Sequence, residues 1–233
     1  MKKFFQRILN FCGTATLTFY TVAFSSQPDQ KTQIIVERFS HCKVSSSKLP
    51  DKWYSSRKDI SMYHIKKEND NKFLRIDTKG GCTSIGKKHP YNAHVYPLLS
   101  WRWRMHKLPE KGNEKFKKTN DSGAAIYVIF KGMFRLNTIL KYVWSSTLPQ
   151  GTETSSPYNK RTKVIVLRSG KKQTKTWINE TVNIVEDYRR LFNQDPPAVE
   201  GIGILSDADN TNSTAKADYD DIIIGAPVNI SKK

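Results

Sequence analysis

Apolar and polar residues alternate with period two over much of the chain, most clearly at residues 99–106. One parity there carries Leu99, Trp101, Trp103 and Met105; the other carries Ser100, Arg102, Arg104 and His106. Successive side chains of a β-strand point to opposite faces, so this strand separates a bulky apolar wall from a cationic, hydrogen-bonding wall. Similar runs predict strands at Ile34–Phe39, Tyr63–Lys67, Phe73–Thr78, Cys82–Ile85, Tyr96–Met105, Ala124–Phe130, Ile139–Ser145, Lys163–Arg168, Trp177–Ile184, Val199–Ser206 and Ala217–Ile224. Glu68-Asn69-Asp70-Asn71 between two of them is a hairpin signal.

Only Glu186–Phe192 reads as a helix. Its acids come first and its arginines last, as the helix dipole favours, and Pro196-Pro197 bars continuation. Strands separated by turns, without alternating helices, predict an all-β fold: an antiparallel β-sandwich of jelly-roll type with one short helix.

The 233 residues suit one large β domain, expected over residues 26–233. Residues 1–25 read as a signal peptide, with Lys2, Lys3 and Arg7 ahead of an uncharged apolar stretch, Ile8–Phe24. An uncleaved N-terminal anchor is the alternative, and membrane association is expected only through it. The expected location is therefore the periplasm or cell envelope. Removing residues 1–25 lowers the net charge from +18 to +15. So basic a surface attracts polyanions. No recognised motif points to nucleic acid, which is not expected as a partner. Cys42 and Cys82 would remain, either paired or as two thiols; no metal-binding spacing links them.

An ordered set of segments runs through the chain: Leu99-Ser100-Trp101-Arg102-Trp103-Arg104, Ala124–Phe130, Tyr142–Ser146, Val166–Gly170, Glu186–Phe192, Pro196-Pro197 and Asp207-Ala208-Asp209-Asn210. Together they resemble a bacterial exported family known as domain of unknown function 3047, over roughly residues 34–225. The resemblance implies a jelly-roll sandwich similar to galactose-binding-like carbohydrate-binding modules, and no established activity. Asn120-Asp121 and Ala125 depart from the two acids and the arginine of the family pattern, which puts any site built on that acid–arginine pair in doubt.

Four constellations bear on chemistry. Arg102, Arg104, Tyr127 and Trp144 would form a receiving face if their strands were neighbours, rings stacking on sugars and guanidinium forks bonding hydroxyls or carboxylates. Tryptophans serving as core are the plainer reading. Asp207, Asp209 and Asn210 form a polar rim loop. With Asp220, Asp207 and Asp209 offer oxygens for a structural Ca²⁺, without the spacing of an EF-hand. Asp121 and Asp207 are the candidate carboxyl pair for glycan hydrolysis. The lysines of residues 107–118, with Lys171, Lys172 and Lys175, form a basic group able to contact anionic glycan or lipid headgroups, with a solvated loop as the default reading.

The expected function is non-catalytic binding of a polar envelope ligand, a saccharide, acidic or neutral, without a cofactor unless Ca²⁺ is structural. A glycan-acting enzyme and a structural envelope protein are the alternatives.

Overall fold

The alternation at residues 99–106 is realised in full: Leu99, Trp101, Trp103 and Met105 are buried, and the residues between them face outward. The computed structural model describes residues 32–43 and 49–227. The expected export segment, residues 1–25, lies outside the described residues. In chain order the strands are β1 (Gln33–Glu37), β2 (Trp53–Ser55), β3 (Tyr63–Glu68), β4 (Asn71–Lys79), β5 (Ile85–Tyr91), β6 (Leu98–Lys107), β7 (Ala124–Phe130), β8 (Thr138–Ser145), β9 (Glu153–Ser155), β10 (Thr162–Ser169) and β11 (Ile178–Asn183). Helix α1 (Ile184–Phe192) and strands β12 (Val199–Leu205) and β13 (Thr214–Gly225) complete the set.

Two sheets stack as a β-sandwich. The first runs β11-β6-β13-β4-β3, with β1 also on β13; the second runs β2-β5-β12-β7-β8-β10-β9. Among the described residues all pairings are antiparallel, as expected, except β8 with β10, which is parallel and makes the second sheet mixed. Between the sheets, Trp101 and Trp103 of β6 meet Tyr142 and Trp144 of β8, with ring centroids 5.8 and 5.9 Å apart. Ile126, Val128 and Phe130 of β7 fill the same layer. Tyr219 crosses from β13, accepting from Ala125 N (3.1 Å) and donating to the Leu205 carbonyl (2.8 Å). It thereby fixes the ends of β7 and β12, from which the loops of the site emerge.

The β3–β4 hairpin turns at Asn69, whose φ of 53° is left-handed, a conformation asparagine tolerates. Helix α1 starts where the Asn183 side chain accepts from Val185 N and Glu186 N, and ends on left-handed Asn193. Strands β2 and β9 have three residues each, too few for a periodic signal. Strand β5 contains Lys87-Lys88 and Pro90, which mask it in the sequence. Cys42 and Cys82 are separate free thiols.

The fully buried Trp144 donates its indole N–H to the Gly170 carbonyl at 3.0 Å. Trp144→Ala therefore removes core volume and a bond, and should cost about 3–5 kcal/mol in urea unfolding. A loss below about 1 kcal/mol would show that this ring is not core.

Candidate functional site

The outer face of the first sheet is closed by its own acids. Asp218 and Asp220 of β13 are 0% exposed, and both point at β6. Asp220 accepts from Arg102 at 2.6 Å, Asn71 at 2.9 Å and Phe39 N at 3.3 Å. Asp218 accepts from Arg75, Arg104 and His106. Trp177 covers both arginines, its ring 4.7 Å from the Arg102 guanidinium carbon and 4.6 Å from that of Arg104. Burial would raise the Asp218 carboxyl, but the bonds from His106 and Arg75 outweigh it and hold the group at about 2.

The outer face of the second sheet is covered only in part. Its middle is apolar, with Ala125, Val143, Val164, Val166 and Leu205 packed together. Beside this cluster, against Leu205, lies a cavity of about 570 Å³, whose lining includes Tyr127, Lys141, Asp207, Asp209, Asn210 and Tyr158. Hydroxyls of Ser56, Ser84, Ser156 and Thr162 complete much of its wall. A second, more apolar hollow of about 360 Å³ shares Ser56, Ser84 and Tyr127 with it and ends on Tyr54, which is 68% exposed. Gly203 keeps this strip low: a Cβ there would stand 3.3 Å from that of Tyr127.

Charge is buried beneath the cavity. Lys141 donates to Ser122 Oγ at 2.9 Å and lies 5.5 Å from the Tyr127 ring centroid. Burial pushes the Asp207 carboxyl up to about 7; Lys141 works against that, while Asp121 and Asp209 add to it. Burial, with Asp207 and Asp209 close by, also pushes the Cys82 thiol up to about 12. Tyr127 is raised well above the phenol range, chiefly by burial. Asp121 does not line the cavity. It is spent on the rim loop, accepting from Asn210 N (3.1 Å), Thr211 N (2.7 Å) and Thr211 Oγ1 (2.5 Å).

The structure thus brings Tyr127, Asp207, Asp209 and Asn210 to one cavity and separates them from the rest of the expected set. Arg102 and Arg104 lie on the opposite sheet, neutralised by their own acids, and Trp144 is core. The receiving face built on those three does not exist. The pair Asp121 and Asp207 fails as a catalytic couple, because Asp121 holds a turn. Asp220 lies on the first sheet and cannot join Asp207 and Asp209 around one ion. Cys82 takes its place, with donor atoms of Cys82, Asp207 and Asp209 within 4.8 Å of one another. A sulfur among two carboxylates is not the set of about six to eight oxygens that Ca²⁺ takes. Lys141 and Tyr54 were not anticipated. The signal for Lys141 was a lysine inside the apolar run Ile139–Ser145, on the same parity as Val143.

Residues 49–223 match the family described as protein of unknown function DUF3047, and the chain belongs to it. No curated protein matches the chain. Among solved structures it is similar to the family 11 carbohydrate-binding module of a cellulosomal cellulase of Clostridium thermocellum (10% identity, 83% of this chain and 94% of that one, TM-score 0.44). It is also similar to the family 30 module of another cellulosomal cellulase of that organism (12%, 76% and 93%, TM-score 0.41). A third is the xyloglucanase domain of NopAA from Sinorhizobium fredii (10%, 75% and 97%, TM-score 0.34). At such identities and scores, what those proteins bind says nothing about this chain.

Two carboxyls give opposite pH signatures. Asp207 is raised on folding, so the folded state holds its proton longer, and stability falls as pH rises from about 4 to about 7. Asp207→Asn should abolish that slope in urea unfolding. Asp218 is lowered on folding, so its contribution is present above about pH 4 and disappears as pH falls towards about 2. Asp218→Asn should cost about 3 kcal/mol at neutral pH, because Arg75, Arg104 and His106 lose their carboxylate acceptor.

Proposed function

We propose that this protein is an exported saccharide-binding module whose ligand lies along the outer face of the second sheet, from Tyr54 across Tyr127 to Asp207. One observation carries the reading: a hydroxyl- and amide-lined cavity joined to an apolar strip that ends on an exposed tyrosine. A sugar chain presents apolar ring faces and hydroxyl edges by turns, so it needs aromatic or apolar surface beside donors and acceptors. Tyr54 supplies the ring, Asn120 and Asn210 supply amides, and Asp207 and Lys141 supply an acceptor and a donor at the floor. Export is part of the same reading, supported by the basic and apolar start of the chain.

A glycan array followed by calorimetry on the best hit tests this. Tyr54 is exposed on an edge strand, so Tyr54→Ala should leave the melting temperature unchanged while weakening binding about tenfold, or about 1.4 kcal/mol. Equal affinity of Tyr54→Ala and wild type would remove the proposed face.

A second reading has one observation in its favour. A carboxyl held at about 7 exchanges protons at neutral pH, and Asp207 lies in the cavity with Asp209 beside it. Release of reducing ends from a bound polysaccharide, lost in Asp207→Asn, would make the protein a glycan-acting enzyme; retained binding without release in the wild type would leave it a binding module.

A further inference from the structure

A second cavity, of about 610 Å³, opens where β6 and β8 run out into loops. Its lining includes Lys107, Lys111, Lys171 and Lys175, with Glu110 as its one carboxylate. All four lysines are exposed, and none is in an ion pair among the described residues. The fold gathers them from three segments. Lys107 ends β6, Lys111 follows Pro109, and the turn after β10 brings in Lys171 and Lys175. Lys175 N donates to the Met105 carbonyl at 2.6 Å, which pins that turn to the end of β6. Like charges around one hollow repel, and a bound anion relieves the repulsion.

The backbone adds an independent observation. Lys111 and Lys175 have φ values of 57° and 68°, in the left-handed region that lysine enters at a cost and that glycine or asparagine would occupy more readily. Two of the four cations are therefore kept where the local conformation disfavours them.

We infer that this cavity is an anion site that takes the acidic groups of a polyanionic polysaccharide. The neighbouring hydroxyls are already committed: Ser146 donates to the Pro109 carbonyl, Thr147 to that of Gly112 and Thr174 to that of Lys171. What remains is four exposed point charges without a guanidinium fork. Such a set reads charge density rather than the shape of one small anion. The lining holds no aromatic ring beyond the His106 imidazole, which is bonded to Asp218, so the stacking that single-stranded nucleic acid uses has no platform. That the polymer is a glycan rests on the proposal above; the lysine site itself does not. The loop that supplies Leu108–Lys111 here also supplies Asn120 to the first cavity, so one strand in contact with that loop has a route to both.

The test uses heparin and polygalacturonate as sulfated and carboxylated probes, dextran as the neutral probe and oligo(dT) as the nucleic-acid probe. The decisive variant is the double substitution Lys111→Asn with Lys175→Asn. It removes two charges and puts asparagine into both left-handed positions, so its melting temperature should be unchanged or higher. Heparin and polygalacturonate should bind the wild type in that order and dextran not at all at this site. The double variant should lose about tenfold in heparin affinity near 100 mM salt, and its salt dependence should be shallower by about one to two counterions. The pair Lys66→Gln with Lys79→Gln, exposed lysines of the first sheet, should bind as the wild type does. Tyr54→Ala should also leave heparin affinity unchanged, so this site and the first cavity succeed or fail separately. An equal loss in the Lys66/Lys79 pair would reduce the effect to overall charge and overturn the site. Tighter binding of oligo(dT) than of heparin, lost in the same double variant, would overturn its assignment to a glycan.

Discussion

Strands β6 and β13 lie side by side at the centre of the first sheet, and both faces of that pair must be satisfied at once. Inward, Trp101, Trp103 and Tyr219 build the layer against the second sheet. Outward, Arg102 and Arg104 face Asp220 and Asp218, carboxylates with no access to water. A buried carboxylate is tolerable only when paired and bonded, and each of these accepts from several donors. The register of β6 on β13 is therefore set by aromatic packing on one face and ion pairing on the other. A one-residue slip would put guanidinium groups into the tryptophan layer.

The two outer faces of the sandwich differ in how they are closed. Trp177 roofs the arginines of the first sheet, so that face offers a neutralised layer. The second sheet is covered over Ala125, Val143, Val164 and Val166, and a cavity stands beside them. Its outer face keeps Lys141, Tyr127 and Asp207 under a cavity instead of within a closed network. Asp121 makes this arrangement stable by holding the 209–212 turn, which lets Asp207 and Asp209 stand at the rim. The raised Asp207 carboxyl follows from that placement: it is desolvated, and the lysine nearby only partly compensates.

The basic character of the chain also becomes specific through the fold. Spread over a surface, lysines mainly confer solubility. Here the ends of β6, β8 and β10 meet, and four of the lysines surround one hollow next to the loop that borders the first cavity. The two cavities differ in chemistry, hydroxyls and aromatic surface in one and unpaired charge in the other.

The sequence by itself determined the class of fold, most of the strands, the hairpin at Asn69 and helix α1. It also determined which parity of β6 is buried. These follow from local periodicity and turn chemistry, which a chain carries without knowing its neighbours. It did not show β2 and β9, too short to have a period, nor β5, interrupted by lysines and a proline. Above all it left open which outward faces share a side of the molecule. Arg102 and Tyr127 both point outward from their strands, yet they stand on opposite sides of the sandwich. That was decided by strand order, which depends on non-local pairing and the paths of loops. Asp121 and Asp207 read alike as loop acids; only the folded backbone gave one its amide donors and left the other facing a cavity.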